Sequence, residues 1–215
     1  MMMNLFSVFD PCTGMFSMNW LSTLIFLILI PYNFWIMPSK LNLLYNKLLL
    51  ILNLEISMLT NYSGMSMFML SIFYIILMNN IFGLIPFVFT SSSHLVFSLS
   101  LALPMWLSFM IFGWINNTNN MFSHLVPIGT PFILMPFMVM IETISNLIRP
   151  GSLSVRLTAN MIAGHLLMSL LGDNTPIMML MLMFMFIVLM SFEIAVSLIQ
   201  SYVFMTLMTL YSSEV

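Results

Sequence analysis

Apolar residues run almost unbroken through this chain, and the few polar interruptions divide it into segments. Met65–Phe89 and Leu95–Ile115 contain no charged residue. Each is long enough for a membrane span, which needs roughly 20 mostly apolar residues. Trp20–Met37 is a further span, with Pro31 inside it and Trp20 and Trp35 near its ends, where amphipathic indole rings favour the bilayer interface. Between the spans lie "TSSSH" at 90–94, "NNTNN" at 116–120 and "HLVPIGTP" at 124–131, whose Ser, Asn, Gly and Pro residues mark loops.

Residues 39–57 read differently. They carry Lys40, Lys47 and Glu55, and Asn42, Asn46 and Asn53 recur at helical spacing on one face. This pattern predicts an amphipathic helix lying on the membrane surface. An ordinary span is the alternative.

The last third holds the longest apolar runs. Phe132–Leu171 is broken only by Pro136 and by Pro150–Gly151, and Ile177–Leu210 has neither Pro nor Gly. At about 1.5 Å per residue the second run reaches about 50 Å as a helix, whereas the hydrocarbon core is about 30 Å thick. Such a helix must tilt or protrude. "LGDNTP" at 171–176 is a short turn, so the two long helices form an antiparallel hairpin. The predicted fold is all-α and polytopic: about five membrane-crossing helices, the last two long and strongly tilted, plus one interfacial helix. Residues 1–215 form one membrane domain without internal repeats.

Composition narrows the class. Hydrophobic residues make up 61% of the chain and charged residues 5%, too few charges to cover a soluble surface. No basic cluster suggests a nucleic acid partner. Cys12, the one cysteine, has no internal partner and reads as a buried free thiol. The 27 Met residues are flexible apolar filler, and neither a metal site nor a cofactor is expected. The start "MMMNLFSVFD" lacks a basic n-region, so no cleaved targeting signal is expected. Lys40 and Lys47 put residues 38–60 inside and the N-terminus outside, and five crossings return the C-terminus inside.

Against this background the polar residues of the hairpin stand out: Glu142, Asn146, Arg149, Arg156, Asn160, His165, Glu193 and Gln200. A charge at mid-membrane costs about 2.5–3.5 kcal/mol on insertion scales, so such residues are functional candidates. Glu142, Arg149 and Arg156 recur every seven residues and drift only about 20° per step along one face. Asn160 shares the face of Arg156 one turn on, and His165 points to the opposite side. Glu193 and Gln200 share a face of the second helix. The pattern is an inner acid, a central cation and an outer His/Glu level.

Arg stays protonated in proteins and blocks proton hopping, whereas His and carboxylates carry protons. Two proton-capable tracks separated by a fixed cation suggest two half-channels and a mobile partner that carries a membrane carboxylate past the barrier. Plainer readings stay open. Arg149 is a snorkelling or loop residue, and so is Arg156 if Pro150–Gly151 forms a turn. Glu142 is an Arg partner without a transport role. His165, Asn160 and Gln200 are interhelical hydrogen bonders. His94 and His124 are solvated loop residues. Nucleotide-binding, zinc-protease and hydrolase motifs are absent.

"IETISNLIRPGSLSVRLTANMIAGHLL" at 141–167 resembles the signature region of the ATP synthase subunit a family. "HLVPIGTP" at 124–131 and "EIAVSLIQSYVF" at 193–204 resemble its other marked segments, and "NLFSVFDP" at 4–11 resembles the start of its mitochondrial members. The resemblance implies that Arg156 faces a rotating ring of c subunits, meets each passing carboxylate and prevents a leak. It implies that His165 and Glu193 line the half-channel from the intermembrane side. Glu142 then belongs to the matrix-side path, and Asn160 and Gln200 flank the arginine. The implied partners are the c ring, other stator subunits and the lipid bilayer. The implied location is the mitochondrial inner membrane, with the N-terminus towards the intermembrane space and the C-terminus in the matrix. The Met-rich composition suits a chain encoded in the mitochondrion. On this reading the chain makes no bonds itself and belongs to a proton-transporting ATP synthase. The alternatives are a hydrophobic structural subunit of a respiratory-chain complex and a stand-alone transporter; no inverted repeat supports the latter.

Overall fold

The computed structural model describes residues 5–12, 16–30, 37–60, 64–85, 88–126, 129–172 and 176–214. Among these residues the regular structure is helical. The α-helices are α1 (Ile25–Leu29), α2 (Lys40–Leu59), α3 (Met65–Gly83), α4 (Leu95–Asn116), α5 (Thr118–His124), α6 (Met135–Gly172) and α7 (Pro176–Glu214), joined in places by 3-10 turns.

Four described stretches are long and apolar enough to cross a membrane: Met65–Gly83, Leu95–Asn116, Phe132–Gly172 and Leu182–Ser213. The expected first span, residues 20–37, lies partly outside the described residues. Its described part is a 3-10 helix, Met18–Leu24, followed by the five residues of α1. Ile30 stops α1 in an extended conformation (φ −62°, ψ 122°). The cause is Pro31, which disfavours helical geometry in the residue before it. Helix α3 begins after Gly64, whose φ of 94° is open to glycine at little steric cost. It ends at Gly83, earlier than the expected limit at Phe89. Part of the expected "NNTNN" break is instead helical, in α5.

The hairpin is built from helices of 38 and 39 residues, each nearly 60 Å long at about 1.5 Å per residue. Pro150 and Gly151 lie within α6 and do not end it. Arg156 therefore sits in a helix, not beside a turn.

The core lies where α3, α4, α6 and α7 meet. Ile76, Ala102 and Leu157 are fully buried there, with Met69, Leu153, Phe204, Met205 and Met208 around them. Lipid supplies little hydrophobic drive between helices, so close packing of small residues matters. Ser98, Ser154, Ser197 and Ser201 are buried at these contacts. Each hydroxyl donates to a carbonyl one turn back in its own helix, at 2.7–3.1 Å, which satisfies it without a neighbour. On α7 the buried positions Glu193, Ser197, Gln200, Ser201, Phe204, Met205 and Met208 form one helical stripe.

Two loop expectations change. "TSSSH" is not a solvated loop: Thr90, Ser91, Ser92 and Ser93 are buried against α6 and α3. His94 is held between aromatic rings, with its ring centroid 5.2 Å from those of Trp20 and Phe89. His124 is exposed as expected. The expected asparagine face of α2 turns partly inward, because Asn46 and Asn53 line a cavity against α3. Cys12, read as buried, is exposed.

Leu157→Ala is expected to cost about 2–5 kcal/mol, read as a lower thermal denaturation midpoint in detergent micelles. Ile133→Ala, on a fully exposed side chain, is expected to stay within about 0.5 kcal/mol. Equal shifts for the two would contradict the assigned core.

Candidate functional site

Helix α6 has two unlike flanks. Its buried stripe is Leu153, Ser154, Leu157, Thr158, Met161 and Gly164. The other flank exposes Val155, Arg156, Ala159, Asn160 and Ala163. Arg156 thus points away from its own bundle, and among the described residues no carboxylate of this chain lies within ion-pair distance of it. The small residues Ala159 and Ala163 leave that flank open to close approach by another helix.

Asn160 begins at this flank and reaches α7, where its Nδ2 donates to Gln200 Oε1 at 3.2 Å. Gln200 is buried, and its Nε2 has no hydrogen-bond partner. One step further along the hairpin, Glu193 packs on Gly164. A Cβ at Gly164 would stand 2.5 Å from the Glu193 carboxyl carbon and 2.6 and 2.7 Å from its oxygens. The missing side chain of Gly164 is therefore the space the carboxyl group occupies. Glu193 is only 9% exposed, and neither oxygen has a hydrogen-bond partner. Asn80, Asn160, Gly164, Glu193, Ser197 and Gln200 line one pocket of about 400 Å³.

His165 shares the level of Glu193 but turns elsewhere. Its ring meets Phe9 edge-on at 6.1 Å and lies near the backbone of Gly83. It is not among the residues lining the Glu193 pocket, and no hydrogen bond joins the two side chains. The helical count that put His165 opposite Arg156 agrees with this placement.

A second pocket, of about 460 Å³, lies at the other end of the hairpin among α4, α6 and α7, and Trp106, Glu142, Asn146, Arg149 and Tyr211 are among its lining residues. Here Arg149 Nη2 is 3.8 Å from Glu142 Oε1, and its guanidinium carbon sits 4.9 Å above the Tyr211 ring centroid. Glu142 thus meets Arg149 and not Arg156, which is seven residues on and about 10 Å further along the helix. Between the two pockets Leu153, Leu157, Phe204 and Met205 are at most 2% exposed. That layer is apolar, and the nearby hydroxyls of Ser154 and Ser201 are committed to their own helices.

Sequence reasoning gave no role to Asn80 or Ser92 and treated Gly164 only as a small packing residue. Asn80 carried a signal, since an amide inside an apolar run is costly unless partnered. Ser92 carried none, because its segment reads as an ordinary polar loop.

The family described as "ATP synthase A chain" matches residues 15–213. ATP synthase subunit a of Locusta migratoria is 56% identical over 224 residues, covering 100% of both chains. The subunits of the same name from Drosophila melanogaster and Anopheles quadrimaculatus are 57% and 54% identical, again over 100% of each chain.

Gly164→Ala is expected to lower the denaturation midpoint, because overpacking costs about 1–3 kcal/mol. In a Glu193→Ala background the same change is expected to be neutral or stabilising, since Ala gains up to about 1 kcal/mol over Gly in a helix. Additive effects of the two changes would mean that the side chains do not compete for one space.

Proposed function

The chain belongs to the ATP synthase A chain family, and we propose that it acts as the proton-translocating stator subunit of that complex's membrane sector. The observation that carries this reading is the exposed, unpaired Arg156. A permanent cation in a bilayer needs a counter-charge, and among the described residues this chain offers none within reach. A carboxylate on a passing subunit of a c ring supplies it, and Ala159 and Ala163 let that ring approach.

The two pockets are the two half-channels. Glu193, Asn160 and Gln200, with His165 nearby, form the outer path. Glu142 heads the inner path, with Asn146 beside it. Protons do not pass straight through. The apolar layer of Leu153, Leu157 and Phe204 offers no relay, and Arg156 does not give up its proton. In the cycle a proton enters through the His165/Glu193 level and neutralises a ring carboxylate. The neutral group travels through lipid. It reaches the inner path near Glu142 and releases the proton, and Arg156 then holds the bare carboxylate until it is reloaded. The driving force is about 2.3 kcal/mol per charge for each 100 mV, which a leak past Arg156 would dissipate.

This chain breaks no bond in the reaction. It needs no cofactor, and its partners are the c ring, other stator subunits and lipid. We place it in the mitochondrial inner membrane, with residues 20–37 as a fifth crossing. Lys40 and Lys47 then put α2 on the matrix side, the N-terminus towards the intermembrane space and the C-terminus in the matrix. The family assignment sets aside the alternative of a respiratory-chain packing subunit.

The test is proton flux in vesicles containing the whole complex. Arg156→Ala is expected to abolish ATP-driven pumping while passive leak stays the same or rises. Pumping that survives the change would reduce Arg156 to a snorkelling residue and remove the half-channel reading. Glu193→Gln is expected to slow pumping strongly, with the complex still assembled.

A further inference from the structure

His165 is set apart from the pocket that holds Glu193, and part of its surroundings comes from the start of the chain. The 3-10 helix Leu5–Phe9 packs against α6. Phe6 and Val8 of this segment are exposed, whereas Phe9 is half-buried. Its ring meets that of His165 with the centroids 6.1 Å apart and the planes at 90°.

Hydrogen bonds fasten the segment in place. Asp10 N donates to Ser7 O at 3.3 Å, and Cys12 N donates to Asp10 Oδ1 at 3.2 Å, which closes the chain after Phe9. Asn19 Nδ2 donates to Asp10 O at 3.3 Å and ties the segment to the 3-10 helix Met18–Leu24. In that helix Ser22 Oγ donates to Phe89 O at 3.2 Å, and the Trp20 ring meets Phe89 edge-on at 5.6 Å. Phe89 leads into the Ser91–Ser93 turn, which packs on α3 and α6. Phe9 is thus linked to the same part of the bundle that carries His165.

An imidazole benefits from such a hold. The torsion that turns the ring has broad minima. The two ring nitrogens are distinct, and which one faces a partner decides where a proton is taken up and given off. A hydrogen bond can fix the ring, but His165 Nε2 is buried and has no hydrogen-bond partner. Phe9 adds a contact of defined geometry. Aromatic pairs prefer edge-to-face arrangements with centroids about 4.5–7 Å apart, so the phenyl ring favours one tilt of the imidazole over others.

We propose that Phe9 is a positioning residue for proton transfer at His165, so that the N-terminal segment builds the outer half-channel together with the hairpin. Phe9 carries no proton; it holds the imidazole in the orientation from which a proton is passed on. This inference rests on the reading of His165 as a proton-path residue.

The experiment compares Phe9→Ala, Phe9→Leu, Phe9→Tyr and His165→Ala in the whole complex reconstituted into vesicles, with ATP-driven pumping measured per assembled complex. Phe9→Tyr keeps the ring and is expected to pump close to the wild-type rate. Phe9→Ala is expected to lower the rate about tenfold, a part of the roughly 10²–10⁴-fold effect of a positioned acid–base group. Phe9→Leu fills the space without a ring and is expected to resemble Phe9→Ala. Equal rates for the Leu and Tyr variants would make Phe9 a space-filler and overturn the proposal. If His165→Ala stops pumping while Phe9→Ala runs at the wild-type rate, this proposal fails and the half-channel reading stands. If His165→Ala pumps normally, that reading fails, and this proposal with it. A second measurement does not depend on the bulk of the side chain. In a Cys12→Ser background, Phe9→Cys puts a thiol beside the imidazole, and thiolate and imidazole are both metal ligands. Silver ions enclosed in the vesicles, on the intermembrane face, are expected to stop the pumping of this variant and to leave the Cys12→Ser parent unaffected. An active Phe9→Cys variant that silver leaves unaffected would overturn the proposal.

Discussion

A charge in oil must find an opposite charge or water, and the arrangement of this protein follows from that constraint. Among the described residues Arg156 finds no opposite charge within its own chain. The helix that carries it packs its other flank into the bundle and leaves the arginine facing outward between small side chains. In a soluble protein such an exposed arginine would be unremarkable, because water would solvate it. In a bilayer the same position is unfavourable until a partner arrives. A site that is complete only while a carboxylate is beside it suits a stator whose partner moves.

The remaining polar groups sort themselves around that cation by helix geometry. Glu142 is drawn to Arg149, whose guanidinium stacks on Tyr211. Glu193 occupies the space left by Gly164, level with His165 but turned away from it. Between them the two long helices close on leucine, phenylalanine and methionine. Two pockets that hold these polar groups, with an apolar layer between them, thus arise where the hairpin meets α3 and α4. The serines that let the helices close satisfy their own hydroxyls by back-bonding, so tight packing does not open a polar route through the layer.

Much of this was legible in the chain itself. Hydrophobic length fixed the class and the long hairpin, because a bilayer accepts few backbone arrangements. The seven-residue spacing of Glu142, Arg149 and Arg156 and the nine-residue offset of His165 placed these side chains on the helix surface correctly, since α-helical geometry is periodic and local. Pro31 was read as lying inside the first span, whereas Ile30 before it is already extended.

Contacts between helices were not legible, because periodicity says which face a residue occupies and not what meets that face. The serines at 91–93 read as solvated loop residues from composition, yet they are buried, because the turn folds back against α3 and α6. His94 looked exposed for the same reason and is clasped by Trp20 and Phe89. Asn46 and Asn53 formed the expected polar face of α2, but packing turned them towards α3. Glu142 read only as the partner of an arginine, and the structure pairs it with Arg149 beside Tyr211. Sequence alone therefore determined the helical class, the two long helices of the hairpin and the polar residues each face carries, all of which depend on local geometry and on the bilayer. The tertiary structure decided which of those residues share a pocket, because that depends on how helices far apart in the chain come to lie side by side.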